Sequence, residues 1–225
     1  MGQAIGSVLP LAVAIAMFPI PVIAVVLLLG SERGHAKGAV FAFTWLAGLA
    51  ATGAIVLAFA DALGASDGGE PSTWVDIVLL LLGLVVAGLG IKYWLGRPRG
   101  GEEAPTPGWM RAIDRFTLAK AAGAGFALTA LNPKNLLLVA AAAAEIAELG
   151  LPAAHEIAAL LVFVLLASVG VLAPVVIALA RGDRSAELLE GLRSWMSRYN
   201  AVIMTVLFLL IGAKLVGDAI QGFAT

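Results

Sequence analysis

Asn132, Pro133, Lys134 and Asn135 stand together inside an otherwise apolar run, "FALTALNPKNLLLVAAAAAEIA", residues 126–147. In a helix that crosses a bilayer these residue types do separate things. Pro133 has no N–H for the carbonyl four residues back, and its ring clashes with the preceding turn, so the helix must kink or break. The carbonyls freed there need donors, which the amides of Asn132 and Asn135 and the hydroxyl of Thr129 can supply. If the helix starts near residue 120, Lys134 lies roughly 21 Å along its axis. A charge at that depth costs about 2.5–3.5 kcal/mol on insertion scales, so it faces a cavity or a partner. On one reading the break lines a substrate cavity in which Lys134 meets an anionic head group. On the other it is a structural kink whose amine is met by facing carbonyls, Asp61 or Glu145.

Pro10, Pro19 and Pro21 cluster in the first apolar stretch, so "MFPIP" marks a second broken or kinked segment. It has backbone carbonyls, not polar side chains, to offer opposite the first break, and plain tolerance of proline in membrane helices is the competing account. Pro174 in "GVLAPVVIA" marks a simple kink. Lys214 and Asp218 are spaced to pair on one helix face, either as an interfacial pair or as a gate or relay. Thr44, beside Trp45 in "FAFTWLAG", is a further weak gate residue or part of a packed aromatic surface.

Catalysis has little to work with. The chain has no cysteine, which removes disulfides, thiolate ligands and lipid attachment through sulfur. His35 and His155 fall in different inter-helix segments, so they do not form a metal site. No Ser/His, paired-carboxylate or metal constellation occurs at membrane depth, and no glycine-rich phosphate loop follows a strand. The expectation is a protein that is not an enzyme and holds no metal or cofactor. A net charge of −1 gives no basic field for nucleic acid.

The elements that must position these residues are membrane spans. Of 225 residues, 61% are hydrophobic and 13% charged, and the mean hydropathy is +0.99; this is the balance of an all-α integral membrane protein. A hydrocarbon core of roughly 30 Å needs about 20 apolar residues as helix. Such runs fall at about 5–29, 38–60, 74–95, 119–146, 155–180 and 199–221. The first lacks the basic start of a signal peptide and reads as a retained span.

Lys and Arg sort these spans. All but Lys134 and Lys214 lie in or beside the segments about 30–37, 96–118 and 181–198. Connections 2–3 and 4–5 carry only acids, among them Asp67, Glu70, Glu148 and Glu156. Basic segments stay cytoplasmic, so both termini face outward in a multi-pass plasma-membrane protein. The segment 96–118 starts as a Gly/Pro-rich linker and turns amphipathic from Trp109 to Phe116, as an interfacial helix would.

That linker separates repeat one, about 1–95, from repeat two, about 119–225. Pro19 then lies over Pro133, and "GIKYWLG" over "GAKLVGD", so that Lys92 matches Lys214. Three spans per half forces the second half to insert upside down. Two inverted three-helix repeats, each with its first helix broken at proline, are a common plan of secondary transporters.

"TALNPKNLLLVAAAAAEIA", "LLLGSERGHAKGAVFAFTWLAGL" and the three-plus-three plan together resemble the Gap-like, sulfolipid-addressing proteins of the lysine exporter superfamily, over nearly the whole chain. The resemblance implies a secondary exporter that moves glycolipid or peptidoglycolipid material toward the cell surface of actinobacteria. It carries a role over only to Asn132, Pro133, Lys134 and Asn135, with Pro19 and Pro21 as the matching break. The cysteine pair of thiol-relay relatives and the His/Asp clusters of metal exporters are absent. The expected partners are the bilayer and an anionic lipid or small amphipathic substrate; a homo-oligomer or the cell-envelope lipid machinery is left open. Export of amino acids or other small solutes is one alternative. A non-transporting accessory to a lipid synthase or larger lipid exporter is another.

Overall fold

The computed structural model describes residues 2–62, 73–97, 110 and 112–224, and among them there is no strand. The helices are α1 (Gly2–Ala16), α2 (Pro19–Leu29), α3 (Gly34–Ala62), α4 (Thr73–Leu95), α5 (Leu118–Ala130), α6 (Pro133–Ala147), α7 (Ala153–Ala167), α8 (Val169–Arg181) and α9 (Ala186–Ala224), with short 3-10 turns at Ile113–Arg115 and Gly182–Ser185.

Two of the breaks follow from proline. A residue before proline is barred from the helical region by the proline ring. Phe18 before Pro19 and Asn132 before Pro133 accordingly have ψ of 120° and 113°. Each proline then opens the next helix at a position whose N–H has no intrahelical partner anyway. The α1–α2 pair bends by 52° and the α5–α6 pair by 56°.

Contact clustering divides the chain into two compact units, Met1–Asp67 with Pro105–Ser197, and Gly68–Ala104 with Arg198–Thr225. In the first, α3 packs on α5 and α6, α1 on α6 and α7, and α2 on α3 and α8. The α2 helix is buried almost all round; Val22 and Ile23 meet Met196, and Val26 meets Ala178 and Leu189. Phe41, Trp45 and Leu49, spaced one turn apart on α3, are fully buried. In the second unit α4 and the later turns of α9 run antiparallel, since Gly83 faces Val216, Ala87 faces Gly212 and Gly90 faces Leu209.

Glycines set most of these approaches, because between lipid-solvated helices tight packing replaces the hydrophobic effect as the attraction. Gly48 of α3 lies against Thr129 of α5, and Gly125 of α5 lies against Thr44 of α3. The two helices therefore run parallel, each offering a bare Cα to the other's threonine. On either side of Gly48 along α3, Gly38 lies against Leu29 of α2 and Gly53 against Leu160 of α7.

The outer surface is apolar as well: Phe43, Phe59, Leu179 and Leu210 are each more than 60% exposed, as suits a chain solvated by lipid. Gly34–Ala60 and Ala186–Phe223 are long and apolar enough to cross a bilayer alone; three bent pairs each qualify as one broken span, giving up to five, and Leu80–Leu95 is a shorter apolar helix.

Four local expectations change. The α7–α8 pair bends by 60° at Ser168, whereas Pro174 sits inside unbroken α8. The reason is a tertiary contact. A Cβ on Gly170 would overlap the Ala16 carbonyl, so the start of α8 is drawn onto the end of α1. Lys37, expected in a loop, belongs to α3 and is 6% exposed, with Nζ donating to Ser31 Oγ at 3.0 Å. The basic segment 181–198 is mostly helix, because its charges lie on exposed faces of α9, which at 39 residues is about 58 Å long. Glu156, expected on an acidic connection, is buried on the first turn of α7. Most of the linker 96–118 lies outside the described residues.

Candidate functional site

The α5–α6 break is built by its own polar residues. Asn132 is the N-cap of α6, and its Oδ1 accepts from the Lys134 N–H at 3.1 Å. That bond satisfies one of the open N–H groups of the new helix. The expected donor role falls to Asn135 alone: its Nδ2 donates to the Leu128 carbonyl at 2.6 Å, back across the break. Leu128 lies in the last turn of α5, where carbonyls lack helical partners.

Asn135 is fully buried, and its Oδ1 has no hydrogen-bond partner among the described residues. Trp45 Nε1 on α3, a helix that packs on both α5 and α6, is likewise buried without a partner. Trp45 is otherwise the packed aromatic expected, stacked on Phe41 at a 6.4 Å centroid separation. A buried acceptor at the break and a buried donor on the helix packed against it thus stand open, in a setting where unmatched polar groups are costly.

Thr129 is fully buried, and its hydroxyl donates within α5, to the Phe126 carbonyl at 2.9 Å or the Gly125 carbonyl at 3.2 Å. Thr44 does the same on α3 toward Val40 and Phe41, each at 3.1 Å. Their hydroxyl oxygens meet the glycines opposite, so both act first as packing residues. Lys134 is half-buried and Pro133 exposed, one on each side of the buried Asn135 face.

Pro19 and Pro21 are both buried, Pro19 as the first residue of α2. The residue before it is Phe18, so this break has no side-chain cap. Lys214 and Asp218 form the expected pair on α9, Nζ to Oδ2 at 2.8 Å, both partly exposed. Among the described residues no group of three or more His, Cys, Asp or Glu side chains is placed to hold a metal ion.

Sequence reasoning did not find Ser168 or Gly170. Ser168 ends α7 and begins α8 with φ −92° and ψ −5°, and its Oγ donates to the Val164 carbonyl at 2.7 Å. The signal that could have exposed it is the glycine two residues on.

A protein-family model described as Sap, sulfolipid-1-addressing protein, matches residues 8–221. No curated protein and no solved structure matches the chain.

Proposed function

Since the chain belongs to the sulfolipid-1-addressing protein family, we propose that it is a secondary-type membrane exporter that carries an amphipathic anionic lipid, a glycolipid, peptidoglycolipid or precursor, toward the cell surface. Its working plan is six spans in two inverted repeats, with α4 as the third span and each bent pair as one.

One observation carries this reading: the first helix of each half is broken at a proline, α1–α2 at Pro19 by 52° and α5–α6 at Pro133 by 56°. Lys92 and Lys214, at the ends of the two half-sequences, add a sequence match. Paired broken helices in inverted halves are how secondary transporters form a site and hold two arrangements of similar energy, the physical requirement of alternating access.

In this scheme the α5–α6 break receives the head group. Lys134 supplies charge, while Asn135 Oδ1 and Trp45 Nε1, closed off in the arrangement described, offer an acceptor and a donor to a sugar hydroxyl or sulfate once the halves rearrange. The test is movement of a fluorescent anionic lipid between leaflets of vesicles that contain only this protein. Transport by the wild type and its loss in folded Lys134→Met are expected. Undiminished movement in the variant removes Lys134 from the site, and no movement in the wild type favours an accessory that works through a larger machine.

A further inference from the structure

In the unit formed by α4 and the later part of α9, the helices touch through glycines and leave an open groove beside that contact. A Cβ on Gly83 would stand 2.8 Å from Val216 Cγ2 and 3.1 Å from the Gly212 carbonyl, so nothing larger than glycine fits. Toward the C-terminal end of α4 the glycines run out. Ile91 and Trp94 take their place on α4, facing Thr205, Val206 and Leu209 on α9, and a groove of about 340 Å³ opens among these five residues.

The groove has almost no polarity of its own. Its single hydroxyl, on Thr205, donates to the Ala201 carbonyl at 2.8 Å. Four apolar side chains are left to face the occupant. One charge stands at its end. The Arg97 guanidinium lies 3.5 Å above the Trp94 ring, and its Nη1 donates to the Trp94 carbonyl at 2.8 Å. Arg97 is thereby held beside the aromatic wall rather than free to sweep the surface. Among the described residues four of the five guanidinium donors remain open, in a planar fork that suits a phosphate or sulfate.

We infer that this groove docks a single bilayer lipid with an anionic head group, one acyl chain lying along Ile91, Trp94, Val206 and Leu209 and the head group on Arg97. An acyl chain is the occupant that suits an open groove of exposed apolar side chains on a membrane helix pair, and charge complementarity at Arg97 selects the head group. The groove is made by other residues than those of the α5–α6 break, and lipid docking here stands whether or not the chain moves lipid across the bilayer.

The full-length protein is reconstituted in vesicles of phosphatidylcholine with a fixed fraction of either phosphatidylglycerol or phosphatidylcholine carrying dibrominated acyl chains. Bromine quenches tryptophan on contact. The Trp94 signal is taken as the difference between wild type and Trp94→Phe. Quenching by the brominated phosphatidylglycerol is expected to exceed that by brominated phosphatidylcholine, with a preference of about fivefold for one interfacial arginine. Arg97→Gln brings the two lipids level, while Arg97→Lys keeps part of the preference. Val206→Phe, which fills the groove without touching the head-group end, reduces quenching by both. Equal quenching by the two lipids in the wild type, or a preference that survives Arg97→Gln, overturns head-group selection. Absence of Trp94 quenching by either lipid overturns the groove as a lipid site and hands it to another polypeptide surface.

Discussion

An asparagine buried in a membrane helix has both an amide and a carbonyl to satisfy, and Asn135 satisfies one of them. Its Nδ2 closes the Leu128 carbonyl left open by the break, while Oδ1 stays unmatched. Asn132 makes the opposite use of the same side chain, accepting through Oδ1 from the Lys134 N–H. One substitution therefore has two outcomes. Asn132→Asp keeps the acceptor and is expected to leave the thermal midpoint of the detergent-purified protein unchanged. Asn135→Asp loses the donor, which costs about 1–3 kcal/mol for a buried group left unsatisfied, and lowers that midpoint. Equal midpoints for the two variants contradict the assigned bonds. The polar run was legible in the sequence because four such residues have no cheap place in hydrocarbon. What it withheld was the division of labour, since asparagine donates and accepts equally well and only the fold decides which end is used.

Between elements, the decisive groups are glycines, and neighbouring ones differ sharply. A Cβ on Gly125 would run into Thr44 and the Phe41 carbonyl, whereas a Cβ on Gly123 would meet nothing within 4 Å. Gly125→Ala forces α3 and α5 apart and is expected to destabilise by about 1–3 kcal/mol. Gly123→Ala gains helix propensity of about 1 kcal/mol and is expected to raise the thermal midpoint. If both shift stability alike, the α3–α5 interface is not where the structure puts it. The two proline breaks could be placed from sequence, because the ring acts on its own chain and the residue before it. The third break could not. Ser168 is a permitted helical residue, and the bend there arises where Gly170 meets a carbonyl 154 residues earlier. Pro174, the obvious suspect, is absorbed within α8, where it is buried on the same stripe as Val171, Val175 and Ala178.

For the molecule as a whole, the absence of cysteine makes single-cysteine variants clean reporters of sidedness. Gln221 and Ser194 are both exposed and lie on the same helix, 27 positions apart; that is about 40 Å at helical rise, more than the hydrocarbon thickness. A membrane-impermeant maleimide applied to intact cells is expected to label Gln221→Cys and to spare Ser194→Cys until the membrane is opened. The reverse pattern inverts the proposed orientation and sets the basic segments outside. The alternation of basic and acidic connections is what predicts that orientation; the helical extension of α9 beyond the apolar stretch does not show in the sequence, since charged residues on an outward face need not end a helix. The Gly170–Ala16 contact also bears on movement. The α1–α2 and α7–α8 pairs lie side by side, and the elbow of one rests on the elbow of the other with no side chain between them to act as a cushion. A straightening of either arm would press backbone on backbone at this point, which ties the two bends together as a strap ties two knees.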